Sequence, residues 1–180
     1  RTLVQERPDA FLPDLASSLN NQSTCLADMG RREEALEAIT EAVNLYRTLV
    51  RERPDAFLPD LAGSLNNQST CLADMGRREE ALEAITEAVQ IRRTLVQERP
   101  DAFLPDLAMS LNNQSNRLAN MGRREEALEA ITEAVNLYRT LVQERPDAFL
   151  PDLAMSLNNQ STCLADMGRR EEALEAITEA

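Results

Sequence analysis

Residues 19–50 read LNNQSTCLADMGRREEALEAITEAVNLYRTLV, and this stretch spells out two helices and the turn between them. Leu19, Ser23 and Leu26 follow at spacings of four and three, the period of one helix face. Gly30 supplies the left-handed residue that ends such a helix. From Arg32 onward Ala35, Leu36, Ala38, Ile39, Ala42, Val43, Tyr46, Leu49 and Val50 cover one broad face of a second helix. Glu33 and Glu34 stand at its positive end and Arg47, Arg51 and Arg53 at its negative end, each placement contributing roughly 0.3–1 kcal/mol at low salt. Upstream, Pro13 is tolerable only in a first turn, so the first helix is expected to begin between Ala10 and Pro13, with Asp9 as its N-cap. Helix A is therefore expected over about 11–29 and helix B over about 32–53, before Pro54. Strand signals are absent.

Working outward, the same hairpin recurs. The segment that begins Arg1-Thr2-Leu3-Val4 returns at Arg47, Arg93 and Arg139, a constant spacing of 46 residues. The units 1–46, 47–92, 93–138 and 139–180 are nearly identical, and only eight of the 46 columns vary. Unit 139–180 differs from the first only where Met155 replaces Ser17, and is four residues short. Identity this high implies recent duplication or deliberate construction, and both stay open. A lone hairpin cannot bury its apolar face, so neighbouring units must stack on it. The expectation is an all-α solenoid of antiparallel hairpins, one array over 1–180.

Composition excludes several functions. The 31 acidic groups against 19 basic ones give a net charge of −12, every base is Arg, and there is no Lys, His or Trp. Without His there is no imidazole base and no His-containing metal site. An acidic chain with 3% aromatic residues lacks the basic face and stacking platforms that nucleic acids need, and the basic face an anionic membrane needs. No apolar run approaches the ~20 residues of a membrane span, and no signal-peptide pattern opens the chain, so a cytoplasmic setting is expected. No nucleophile–base pair, phosphate-binding Gly loop or metal-ligand cluster occurs, so no enzyme, cofactor or metal is expected. Glu33, Glu34, Glu37 and Glu41 are taken as a solvated outer face.

The positions Leu19, Ser23, Leu26, Gly30, Ala35, Ile39 and Ala42 resemble the tetratricopeptide repeat. The run Leu19-Asn20-Asn21, with Gly30 and Glu34-Ala35, is most similar to the longer kinesin-light-chain type, which also occurs in bacterial signalling proteins. Two departures stand out: the longer unit, with Phe11-Leu12-Pro13 set before helix A, and Gln22, Gln68, Gln114 and Gln160 where the family has an apolar residue. Those amides either bond to one another or to backbone across neighbouring units, or sit half exposed on a rotated helix.

The resemblance implies a right-handed superhelical solenoid and a protein-interaction module that binds an extended peptide in a concave groove lined by helix A. It places Ser17 and, as peptide-binding residues, Asn20, Asn21, Thr24, Asp28, Asn66, Asn67, Thr70, Asp74, Asn112, Asn113, Asn116, Asn120, Asn158, Asn159, Thr162 and Asp166 on that surface. Asn21, Asn67, Asn113 and Asn159 hold the place of the family's backbone-binding Asn, and an amide can pair with a peptide N–H and C=O together. Equally, Asn20 and Asn21 could bond within the array and bind nothing. Three of the four variable helix A columns (17, 24 and 28) are expected in the groove, through diversification or through surface drift. The groove lacks the Lys and Arg that grip acidic C-termini, and Asp28, Asp74 and Asp166 favour a neutral or basic segment. Cys25, Cys71 and Cys163 share one column; at roughly 10 Å between repeats they are expected to pack rather than pair. Arg117, in that column, must snorkel or pair with a carboxylate.

An alternative is a structural array. Both chain ends fall inside helix B, where Arg1 corresponds to Arg47 and Ala180 to Ala42, so apolar stacking faces would be exposed and copies could stack head to tail into filaments.

Overall fold

The computed structural model of the chain describes residues 8–180, and their side chains from residue 11 onward. Among these residues the order is α1 (Pro8–Asp28), α2 (Arg32–Glu52), α3 (Pro54–Asp74), α4 (Arg78–Glu98), α5 (Pro100–Asn120), α6 (Arg124–Glu144), α7 (Pro146–Asp166) and α8 (Arg170–Glu179), with no strand. Successive helices pack as antiparallel hairpins in two compact units, one ending at Ile91 and one spanning Arg92–Ala180. In the first, α1 packs on α2 and α2 on α3; in the second, α5 packs on α6, α6 on α7 and α7 on α8.

The turn that ends each odd-numbered helix follows from one glycine. Gly30, Gly76, Gly122 and Gly168 take φ of 73–78°, a left-handed conformation that costs other residues dearly. The Gly76 N–H then reaches the Ala73 carbonyl and the Arg77 N–H the Leu72 carbonyl, both at 2.9 Å, closing the helix end. Arg77 next clamps Glu80 with two N–H···O bonds of 2.6 and 2.5 Å, and Arg31–Glu34, Arg123–Glu126 and Arg169–Glu172 repeat the clasp.

The start of helix A lies earlier than expected. Pro54, Pro100 and Pro146 occupy the first helical positions, and Asp55, Asp101 and Asp147 lie in the first turn rather than at the cap. Pro59, Pro105 and Pro151 are then inside the helix. A proline's fixed φ suits the first position, so the first proline starts the helix; the second sits one turn later and forgoes a single backbone bond. Arg53, Arg99 and Arg145, at the N-caps, lay their guanidinium groups over Phe57, Phe103 and Phe149 at 4.9–5.0 Å, an anchoring contact of about 0.5–1 kcal/mol that the sequence reading missed.

Most of the helix B positions expected to be apolar are buried: Ala35, Ile39 and Ala42 have no exposed surface, nor do Ile85 and Ile131. In the second unit Ala108, Val135, Tyr138, Leu141, Leu153 and Leu157 form one core cluster. Small residues let the helices approach closely. Ser69, Ser115 and Ser161 donate to the Ala81, Ala127 and Ala173 carbonyls of the next helix at 2.7–2.8 Å. Between helix A rods the approach is direct, since α1 touches α3 and α5 touches α7. By contrast, α6 and α8 stand apart, and long Arg139 bridges the gap to Glu179. Arg47–Glu87 and Arg93–Glu133 repeat that pairing. The closer row of helices, and hence the inner side of each unit, is therefore helix A.

Candidate functional site

Every helix A carries one stripe that stays outside the packing in all four repeats. On α3 the stripe is Asp60, Gly63, Asn67, Thr70 and Asp74, at alternating spacings of three and four; every residue in it is exposed or half-buried. Of the residues between them, Leu61, Ala62, Ser64, Leu65, Asn66, Ser69, Cys71 and Leu72 are buried. The same stripe is Asp14, Ser17, Asn21, Thr24 and Asp28 on α1, Asp106, Met109, Asn113, Asn116 and Asn120 on α5, and Asp152, Met155, Asn159, Thr162 and Asp166 on α7. The structure thus brings together the columns of Asn21, Thr24 and Asp28 and adds the Asp14 column. That column was missed, although it continues the same spacing one turn upstream.

The two neighbouring asparagines, expected together in the groove, are separated. Asn66 and Asn112 are buried, while Asn67, Asn113 and Asn159 are half-buried on the stripe. Asn67 Nδ2 donates to Asn20 Oδ1 at 3.1 Å, and Asn159 Nδ2 donates to Asn112 Oδ1 at 3.1 Å. Ser156 Oγ donates to the same Asn112 oxygen at 3.3 Å. Asn20 and Asn112 therefore serve as acceptors between repeats. Asn67 and Asn159 are each fixed by one amide hydrogen, leaving Oδ1 and the second hydrogen directed away from that bond. Asn158, the last member of the inner-packing column, is exposed.

Beneath the stripe lies the Tyr46 column. Buried Tyr46 hydrogen-bonds Ser17, and desolvation, then the nearby Asp60 charge, raise its hydroxyl pKa. Tyr138 is pushed up to about 12, by burial first and then by Asp152. Burial raises the Asp60 carboxyl as well. Arg92 occupies this column where the first and third repeats have Tyr. It is buried, donates from Nη1 to the Asp106 carbonyl at 2.6 Å and to Ser110 Oγ, and its pKa is lowered by desolvation. Nothing in its sequence neighbourhood marked it as an interior cation.

The Gln column is settled by position. Gln22 is exposed and Gln68, Gln114 and Gln160 are half-buried. Gln68 and Gln160 donate to Thr40 and Thr132 of the preceding repeat at 3.1 and 2.9 Å. Gln68 and Gln160 are thus half-buried and bond across repeats, but to threonine side chains rather than to one another or to backbone. Cys71 and Cys163 are buried, with their sulfurs 3.6 and 3.8 Å from the Ser23 and Ser115 hydroxyls of the preceding repeat, and no cysteine is bridged. Burial raises the Cys163 thiol, which keeps it protonated. A recess on the helix B side of the first unit is lined by Leu36, Thr40, Leu65 and Gln68, with the Arg47–Glu87 and Arg77–Glu80 pairs at its rim. Two of its charge pairs are thus mutually satisfied, while Glu83 also lines it. Among the described residues no group of His, Cys, Asp or Glu could hold a metal ion, and no helix is long and apolar enough to cross a membrane.

Comparison with known proteins places this geometry. The family model described as a tetratricopeptide repeat matches residues 61–101 and 107–147. A second, described as anaphase-promoting complex subunit 5, matches 5–58 and 138–180, stretches of the same repeated sequence. No curated protein sequence matches. Among solved structures the chain is similar to BtubC (BKLC) from P. vanneervenii, with a TM-score of 0.77 at 17% identity, covering 93% of this chain and 62% of that one. It is similar to a putative kinesin light chain from Podosopora anserina with nearly identical TPR-like repeats (TM-score 0.67, 20% identity, 91% of this chain and 72% of that one). It is also similar to MamA (TM-score 0.65, 14% identity, 98% of this chain and 80% of that one). At these identities the likeness is one of fold.

Proposed function

The chain belongs to the tetratricopeptide-repeat family, whose members mediate protein–protein interactions, and on that premise we propose that it binds an extended peptide along the inner stripe of helix A. The observation that carries this is the Asn21 column. Asn67 and Asn159 are each held in place by one bond to the preceding repeat and keep an acceptor and a donor for a peptide backbone. Each such contact contributes only about 0.5–1.5 kcal/mol net, so several repeats must act together. Thr24, Thr70, Asn116 and Thr162 add polar contacts along the same face. Exposed Asp28, Asp74 and Asp166 favour a neutral or basic segment over an acidic C-terminus. The experiment is a peptide-library screen against the wild-type chain and a variant with Ala at Asn21, Asn67, Asn113 and Asn159. Loss of most binding in the variant is expected. Equal binding by both proteins, or selection of acidic C-termini that salt releases, contradicts the proposal.

A further inference from the structure

The inner stripe is not the same in the two units. In the first it presents Ser17 and Gly63 in the column one turn before the asparagines; in the second it presents Met109 and Met155, which are 38% and 48% exposed. They stand in the same column of α5 and α7, helices that touch each other. Large apolar side chains are out of character on a surface otherwise made of Asp, Asn and Thr, and this column is one of only eight that vary among the 46. In the same stripe Asn120 replaces the Asp of the Asp28 and Asp74 column, which removes a negative charge.

We infer that the stripe of the second unit is a side-chain-reading site that takes a large aliphatic or methionine residue of the bound peptide over Met109 and Met155. This deepens the peptide-binding proposal and rests on it. Met155 and Asn159 are four positions apart, about 6 Å along the helix, roughly the reach of one side chain from a backbone lying on the asparagines. An unbranched thioether adapts to aliphatic partners of different shape and offers them no hydrogen bond. Burying such a partner side chain removes apolar surface of both molecules from water, and a polar side chain at the same place gains nothing comparable. The first unit, with Ser and Gly in that column, lacks the apolar contact and grips backbone without this preference. The occupant is thus an extended, neutral-to-basic peptide with one large apolar side chain seated on the second unit.

Two pools of terminally blocked nine-residue peptides test the inference. Their flanking positions are randomised, and the centre is fixed as Leu, Ile or Met in one pool and as Ser, Asn or Gln in the other. Wild type is expected to bind the apolar pool about tenfold more tightly, the ratio that burial of one such side chain gives. Met109→Ser with Met155→Ser, which installs the residue the first repeat carries naturally in this column, is expected to abolish the preference and keep the affinity for the polar pool. Ser17→Met with Gly63→Met is expected to strengthen binding of the apolar pool. A preference that survives the serine variant, or a wild type that binds both pools alike, overturns the inference, and the groove proposal stands as long as Ala at the four asparagines weakens binding. If neither pool binds wild type, or if the Ala variant binds as well as wild type, the groove proposal fails and the inference with it.

Discussion

Asn66 and Asn67 are adjacent in sequence, yet one is buried and the other half-buried on the stripe of its helix, because successive helical residues are turned by about 100°. The difference is energetic as well as geometric. Asn112 Oδ1 accepts from both Ser156 and Asn159, and Ser156 has no exposed surface on which to find water instead. Asn112→Ala is therefore expected to cost about 1–3 kcal/mol in urea unfolding, the penalty of orphaning buried polar groups. The same change at exposed Asn158 should stay within about 0.5 kcal/mol, as for ordinary surface sites. Equal costs at the two positions would mean that the inter-repeat amide bond is not what holds this column. Reading both asparagines into the groove failed for want of one fact that a single hairpin does not contain, the rotation of helix A against the next repeat. The Asp14 column was lost in the same way.

Helix ends were legible wherever one residue type has only one use. Gly30 and its repeats end helix A as expected, because a left-handed turn admits little else. The start was not legible, because Pro8 and Pro13 both suit a first turn and only the upstream one is used in the later repeats. Two glycines in α3 and its turn make the distinction measurable. Gly76 has φ 75°, so Gly76→Ala should destabilise the chain by about 1 kcal/mol. Gly63 lies within α3 with nothing within 4 Å of an added Cβ, so Gly63→Ala should stabilise it by up to about 1 kcal/mol. Thermal melts of the two variants should move in opposite directions, and shifts of the same sign would refute the role given to Gly76. Repeat pairings such as Arg47–Glu87 and Gln68–Thr40 were out of reach of the sequence, since their members lie on different hairpins.

Across the whole molecule the acidic composition is organised rather than merely solubilising. Glu34, Glu80, Glu126 and Glu172 are held below the usual carboxylate range by hydrogen bonds from Arg31, Arg77, Arg123 and Arg169, and Glu179 by Arg139. A carboxyl with a depressed folded pKa stabilises the fold above its unfolded value, about 4.3, and that contribution disappears as pH falls through the folded value. Asp60 has the opposite sign: its raised pKa favours the fold at low pH, and this is lost as pH rises through the folded value. With five groups against one, the melting temperature should fall on acidification below about pH 4.5. A melting temperature that is flat or rising from pH 5 to 3 would contradict the clasp at each turn.

The groove itself is most directly tested by the side-chain amide resonances of the protein during titration with a peptide selected from the library. A stripe that works through the Asn21 column predicts that the NH₂ signals of Asn21, Asn67, Asn113 and Asn159 shift together with the ε-methyl signals of Met109 and Met155, while the helix B amides of Asn44 and Asn136 stay still. Saturable binding that moves the helix B amides and leaves the inner asparagines unperturbed would contradict it.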